Sequence, residues 1–194
     1  MQRPACWDSS TTEEKARGSA RRLTVFTIGH GTRRLDELVD TLGGAGVETL
    51  VDVRRFPGSK RNPQFNVDPL RNALAAAGIA YRPAPELGGR RSNEPGEERF
   101  SCIRVAAFRS YAAHMTTPEW QKALAETLEL PNPCYMCAET LWTRCHRRLI
   151  AEQLYARGID VVHLLSPTRC EPHRPWDIAE TRDGRLYLCG ELVG

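Results

Sequence analysis

The sequence predicts an α/β fold, a single domain with a mainly parallel, Rossmann-like sheet flanked by helices and a small C-terminal hairpin. Three observations predict it. Short β-branched and aromatic runs alternate with stretches whose apolar residues repeat at helical spacing, the pattern of βαβ units. Glycines stand where those helices should stop, at Gly43-Gly44, Gly78 and Gly158. A chain of 194 residues, 41% hydrophobic and 26% charged, is long and apolar enough for one real core.

Residues 1–22 are polar and aperiodic and read as a disordered tail. Thr24 to Ile28 is the first expected strand, ending at Gly29-His30-Gly31. Leu35, Leu38, Val39 and Leu42 repeat as one helical face, with Thr32 as its expected cap. Val47 to Val53 is the second strand and delivers Asp52 and Arg54 at its end. A Pro-punctuated loop, Arg55 to Asn66, leads to a helix opening at Asp68-Pro69. Ile79 to Arg82 is a weaker third strand. Val105 to Met115 is expected to be helical, and Thr117-Pro118-Glu119 starts another helix with Trp120, Leu124 and Leu128 on one face. Pro133 to Arg148 (PCYMCAETLWTRCHRR) supplies the fourth strand and a helix, capped at Thr143, that carries Cys145, His146 and Arg147. Val161 to Leu165 is the fifth strand. A hairpin is expected over Ile178 to Leu188, turning at Asp183-Gly184. The expected organisation is thus a tail (1–22), an α/β domain (23–165) and a C-terminal extension (166–194).

Composition excludes some classes. No apolar run approaches the roughly 18 residues of a membrane span, so no membrane partner is expected. The first residues lack an apolar leader core, and the seven cysteines are odd in number and unevenly spaced, so a reduced, cytoplasmic setting is expected rather than a disulfide framework. Cys170 and His173 read as tail residues without partners. Net charge is only +3, but Arg54 to Arg109 carries eleven Lys plus Arg against five Asp plus Glu. That asymmetry suggests a nucleotide or nucleic acid. The glycines match neither GxGxxG nor a Walker loop, so no cofactor is predicted.

TIGH (27–30), LVDVRRFPGSKRNPQF (50–65), Leu87-Gly88-Gly89, YAAHM (111–115), CAE (137–139), CHRR (145–148) and VVHL (161–164) occur in this order. Together they resemble the domain of unknown function 488 family across residues 23–165. The resemblance implies a fold and a site more than a reaction. Gly31 and His114 depart from the family's usual Ser or Thr and aromatic residue.

His30, Asp52, Arg54, Cys137, Glu139 and His163 fall at or near expected strand ends, which share one edge of a parallel sheet. Cys137, Glu139, His30 and Asp52 are the catalytic candidates. Cys137 is the expected nucleophile, the more reactive partner of Cys145, because a following helix N-terminus and Arg would favour its thiolate. Glu139 is the expected general acid or base. Arg54, Ser59, Arg61, Phe65, Arg147 and His163 are the expected substrate and phosphate contacts, Phe65 as a stacking surface. Cys134 and Cys137 are three apart in a strand and so face opposite ways. Cys134, Cys137, Cys145 and His146 supply four possible zinc ligands, but that opposite facing argues against a single site; a zinc or iron set of Cys137, Cys145 and His163 is conceivable, yet no metal ligand is assigned. The expected function is an enzyme acting on a nucleotide or nucleic acid. The alternatives are a non-catalytic nucleotide or nucleic-acid binding module and a thiol or metal redox protein using Cys137 and Cys145.

Overall fold

The computed structural model describes residues 23–194, and the expected tail lies outside the described residues. Five parallel strands, β1 (Thr24–Gly29), β2 (Thr49–Asp52), β3 (Ala80–Pro83), β4 (Pro133–Cys137) and β5 (Asp160–Ser166), are joined by an antiparallel β6 (Arg169–Pro172). Their order across the sheet is β3-β2-β4-β1-β5-β6. β1 and β4 are apolar along almost their whole length because both faces are covered.

Helices α1 (Leu35–Gly44) and α2 (Val67–Ala76) cover one face, packing Leu38, Leu42, Leu70 and Leu74 on Ile28, Leu50 and Met136. Each of those four leucines is fully buried and contributes about 1.5–3 kcal/mol by leaving water. Helices α3 (Ala106–Met115), α4 (Pro118–Leu128) and α5 (Arg147–Ala156) cover the other face, with Trp120, Leu124, Leu149, Ile150 and Leu154 packed on Val25, Val51 and Tyr135. Cys134 belongs to the first core and Cys137 to the second, as their spacing requires.

Local chemistry sets the helix starts only in part. Thr117 caps α4, its hydroxyl accepting from Trp120 N at 3.3 Å, and Pro118 takes the first helical position. The other expected caps differ. Arg34, not Thr32, precedes α1, Asn66 precedes α2 so that it opens at Val67, and none of these ends carries a side-chain cap. Tertiary packing of the apolar faces holds these helices instead.

The expected hairpin is present as β7 (Ala179–Arg182) and β8 (Arg185–Leu188). Asp183 (φ 50°) and Gly184 (φ 73°) both adopt the left-handed conformation that a tight hairpin turn needs. A third strand, β9 (Glu191–Leu192), completes this small sheet and is too short to leave a sequence pattern. Leu186, Leu188 and Val193 join the core beside α5, so the C-terminal extension is part of the packed fold.

Two expectations about the extension are overturned. Cys102 and Cys189, 87 residues apart in sequence, form a disulfide, and Cys170 is disulfide-bonded as well. Sequence spacing cannot reveal which cysteines a fold brings together. His173 is buried rather than a loose tail residue, with Nε2 at 3.4 Å from Glu152 of α5.

Strand β1 sends its helix to one face of the sheet, and the adjacent β4 sends α5 to the other. Loops therefore part at the carboxyl ends of β1 and β4, where α/β sheets open a crevice.

Candidate active site

The crevice is built first from β2. Asp52 and Arg54 lie two residues apart and project the same way. Arg54 donates from Nε to Asp52 Oδ1 at 2.8 Å and from Nη2 to Oδ2 at 2.6 Å, a bidentate pair, while its backbone N–H reaches Oδ1 at 3.1 Å. The Tyr81 hydroxyl of β3 donates to Asp52 Oδ2 at 2.7 Å. Asp52 is thus buried and fully engaged beneath the crevice, and it holds Arg54 rather than meeting a substrate.

His30 follows β1. Its Nδ1–H donates to the Gly31 carbonyl at 2.9 Å, which leaves Nε2 to accept from Arg54 Nη1 at 3.3 Å. Burial, reinforced by the adjacent Arg54 charge, lowers His30 to about 4 despite its bond to Gly31. Phe65 stacks beneath this ring at 4.3 Å and is itself fully buried. The expected stacking surface is therefore occupied from within, so Phe65 is not open to a base.

A second node lies between β4 and α5. Arg147, 1% exposed, donates from Nε to Cys137 Sγ at 3.2 Å, from Nη1 to Thr27 Oγ1 at 3.3 Å, and from Nη2 to the Glu139 carbonyl at 2.6 Å. Its donors are spent inside the protein, so Arg147 is an internal clamp and not the expected phosphate ligand. Gly29 makes room for it, since a Cβ there would lie 1.9 Å from the Glu139 carbonyl oxygen and 2.7 Å from Arg147 Nη2.

Cys145 is not inside the helix. It has extended backbone (φ −126°, ψ 151°) after a short 3-10 turn, Trp142–Arg144, and α5 begins only at Arg147 with His146 before it and without a Thr143 cap. The two sulfurs lie together in one buried setting beside Arg147, and burial opposes ionisation at both. Burial pushes the Cys137 thiol well up. At Cys145 burial also opposes ionisation, but hydrogen bonding with Cys137 and the Arg147 charge outweigh it and bring the thiol down to about 7.

Two confluent hollows open on these nodes. The inner, about 320 Å³, is floored by Cys137, Cys145, His146 and Tyr111 and flanked by Arg55, Gly89 and Arg144. The outer, about 470 Å³, is lined by His30, Ser59, Arg61, Asn62 and Thr140. Arg54, Phe56, Arg90, Ala138 and Glu139 border both. The Ser59–Asn66 segment holds its own shape, with Ser59 N donating to Asn66 Oδ1 at 2.7 Å and Asn62 N to Ser59 Oγ at 3.1 Å.

Of the expected site residues, His30, Arg54, Ser59, Arg61, Cys137 and Glu139 thus share one cleft. His163 does not. It is fully buried, its Nδ1 accepting from Thr27 Oγ1 at 2.7 Å and its Nε2 donating to His173 at 3.1 Å, with Trp142 stacked on it at 4.0 Å. It sits two register positions before the edge, opposite Thr27. The residues that sequence reasoning missed are Phe56 and Arg90, while Arg144 and His146 were read beside the thiols, as a nearby charge and a possible zinc ligand, without being assigned to the site. Phe56 is 60% exposed and carried a signal, an aromatic between two arginines in the Pro-rich loop. Arg90 carried none.

With this geometry in place, the comparisons with known proteins have a residue-level meaning. The family model described as "Domain of unknown function DUF488" matches residues 34–154. The chain belongs to the DUF488 family. No curated protein and no solved structure gives a match. The matched DUF488 segment contains Asp52, Arg54, Cys137, Glu139, Cys145, His146 and Arg147, but neither His30 nor His163. Local contacts suit the residues at the two positions where the resemblance led to other side chains being expected. At Gly31 (φ 54°) the Thr140 hydroxyl lies 2.2 Å from where a Cβ would stand, and His114 Nε2 donates to the Glu86 carbonyl at 2.7 Å.

Proposed function

We propose that this DUF488 chain is an enzyme acting on a phosphate-bearing substrate, a nucleotide or nucleic acid, with its chemistry at the Cys137–Cys145–His146 end of the cleft. One observation carries the reading. Five arginines (Arg54, Arg55, Arg61, Arg90 and Arg144) and the exposed Phe56 surround a cleft whose floor holds two thiols and an imidazole. Arginine forks match phosphate oxygens and an open aromatic ring accepts a base, while thiols and imidazole are reactive rather than merely adhesive groups. Glu139, exposed at the junction of the two hollows, is placed as an acid or base. The substrate's phosphate then lies on Arg61 and Arg90, with Arg54 held behind them by Asp52, and its reacting atom near the thiols.

The test is binding of a labelled oligonucleotide and of nucleoside phosphates across a salt series, with products followed by mass spectrometry. Arg61→Ala and Arg90→Ala should each weaken binding and reduce the salt slope by about one. Salt-dependent binding without turnover would instead favour a non-catalytic binding module. Binding that is absent or indifferent to salt would sink the reading. The setting we propose is cytoplasmic, where nucleotides are, and there the partly exposed Cys102–Cys189 bridge is open to reduction by the thiol pool.

A further inference from the structure

We propose that Cys137, Cys145 and His146 bind one zinc ion at the floor of the inner hollow, leaving a fourth coordination position open to the cleft. Their donor atoms all lie within 4.8 Å of one another. Cys145 Sγ and His146 Nδ1 are 3.5 Å apart. Tetrahedral zinc, with bonds of about 2.3 Å to sulfur and about 2.0 Å to nitrogen, sets its S and N ligands about 3.5 Å apart.

The surroundings fit ligands rather than idle core groups. His146 donates its Nε2–H to the Val53 carbonyl at 3.2 Å, so its Nδ1 lone pair faces the sulfurs, the arrangement by which a metal-bound histidine is oriented. Each sulfur accepts a backbone N–H from two residues onward, Cys137 from Glu139 at 3.3 Å and Cys145 from Arg147 at 3.5 Å. The Arg147 guanidinium adds a third donor at 3.2 Å from Cys137. These N–H contacts are the kind that a metal-bound sulfur accepts from its surroundings. Gly89 packs on the face of the same ring, since a Cβ there would lie 2.6 Å from His146 Nδ1, 2.9 Å from Cγ and 3.2 Å from Cε1, and so its bare backbone lets the ring keep this orientation.

Two sulfurs and one imidazole nitrogen favour zinc over harder cations, and three protein ligands with an open position are the catalytic rather than the structural pattern. Of the two histidines that the sequence offered, His146 joins the thiols and His163 does not. Both thiols lose a proton when the metal binds. The proposal deepens the functional reading above by placing a substrate oxygen or water at the open position, and it rests on that reading only for this fourth ligand.

Zinc content of protein purified under argon without chelator tests it directly, as does cobalt substitution. One zinc per chain is expected, together with a near-ultraviolet thiolate-to-cobalt charge-transfer band. Cys145→Ser and His146→Ala should lose the metal. Cys134→Ala, which removes the remaining free thiol among the described residues, on the opposite face of the sheet, should retain it. Should a ligand variant fail to fold, mercurial titration of the wild-type chain should release one zinc as the two thiols are consumed. Wild-type protein that takes up neither zinc nor cobalt stoichiometrically would overturn the proposal, as would thiol titration that releases no metal or equal loss in Cys134→Ala. Oligonucleotide binding measured in the same samples reports on the arginine cleft separately.

Discussion

Asp52 and Arg54 form a bidentate pair with side chains only 2% and 6% exposed, so removing one charge leaves the other buried and uncompensated. Asp52→Asn should cost about 3–5 kcal/mol in urea unfolding, and an unchanged midpoint would show that the pair carries no such role. Histidine burial sets the acid limit of the fold. His30 titrates at about 4 when folded against 6.5 when unfolded, and His163 at about 2. Below pH of about 6.5 the unfolded chain binds protons that the folded chain refuses. The stability that these two rings support is therefore complete above about 6.5 and is lost as pH falls, at about 1.4 kcal/mol per pH unit for each ring. In His30→Asn, whose amide can still donate to Gly31, the dependence between about pH 6 and about pH 4.5 should lessen by one proton. Equal slopes in the two proteins would refute this assignment.

At the scale of elements, the Cys102–Cys189 bridge links the segment leading into α3, which borders the inner hollow through Ala107 and Phe108, to the small C-terminal sheet. It closes a long loop, with a sequence separation of 87 residues. Cys102→Ser with Cys189→Ser should lower stability by about 2–5 kcal/mol, read as a fall in the urea midpoint. Non-reducing peptide mapping of the parent that finds both thiols free would remove the basis for that expectation. The β7–β9 sheet has a further role, because Leu186, Leu188 and Val193 close the core against α5, the helix that Arg147 begins. Residues remote from the cleft thus fix the helix whose first residue holds the Cys137 thiol.

On the scale of the whole molecule, the cleft lies where adjacent strands send their helices to opposite faces, and its wall comes from four separate loops. A ligand bound there should stabilise the entire fold. An oligonucleotide at about a hundred times its Kd should add about 2.7 kcal/mol, seen as a raised Tm that declines with salt. Arg61→Ala with Arg90→Ala should remove most of that increase, and an increase surviving both substitutions would place the ligand elsewhere.

The sequence by itself determined the α/β class, the five parallel strands, the α4 cap and the C-terminal hairpin, because period, glycine stops and turn residues act over a few neighbours. It also brought His30, Arg54, Ser59, Arg61, Cys137 and Glu139 to one edge, since strand ends in a parallel sheet share a side. Tertiary structure decided which side chains remain free at that edge. Asp52 and Arg147 are consumed by internal hydrogen bonds, Phe65 lies under His30, and His163 turns inward to Thr27 and His173. It also decided that Cys145 precedes its helix, that His146 faces the thiols, and that Cys102 meets Cys189. Some of those outcomes join residues far apart in the chain, Cys102 with Cys189 across 87 positions and Thr27 with His163 across 136, and even the near pairs meet as they do only in the packed fold. Local patterns hold no record of such distances, because hydrogen-bond saturation and burial are settled only when the sheet and both helical layers close.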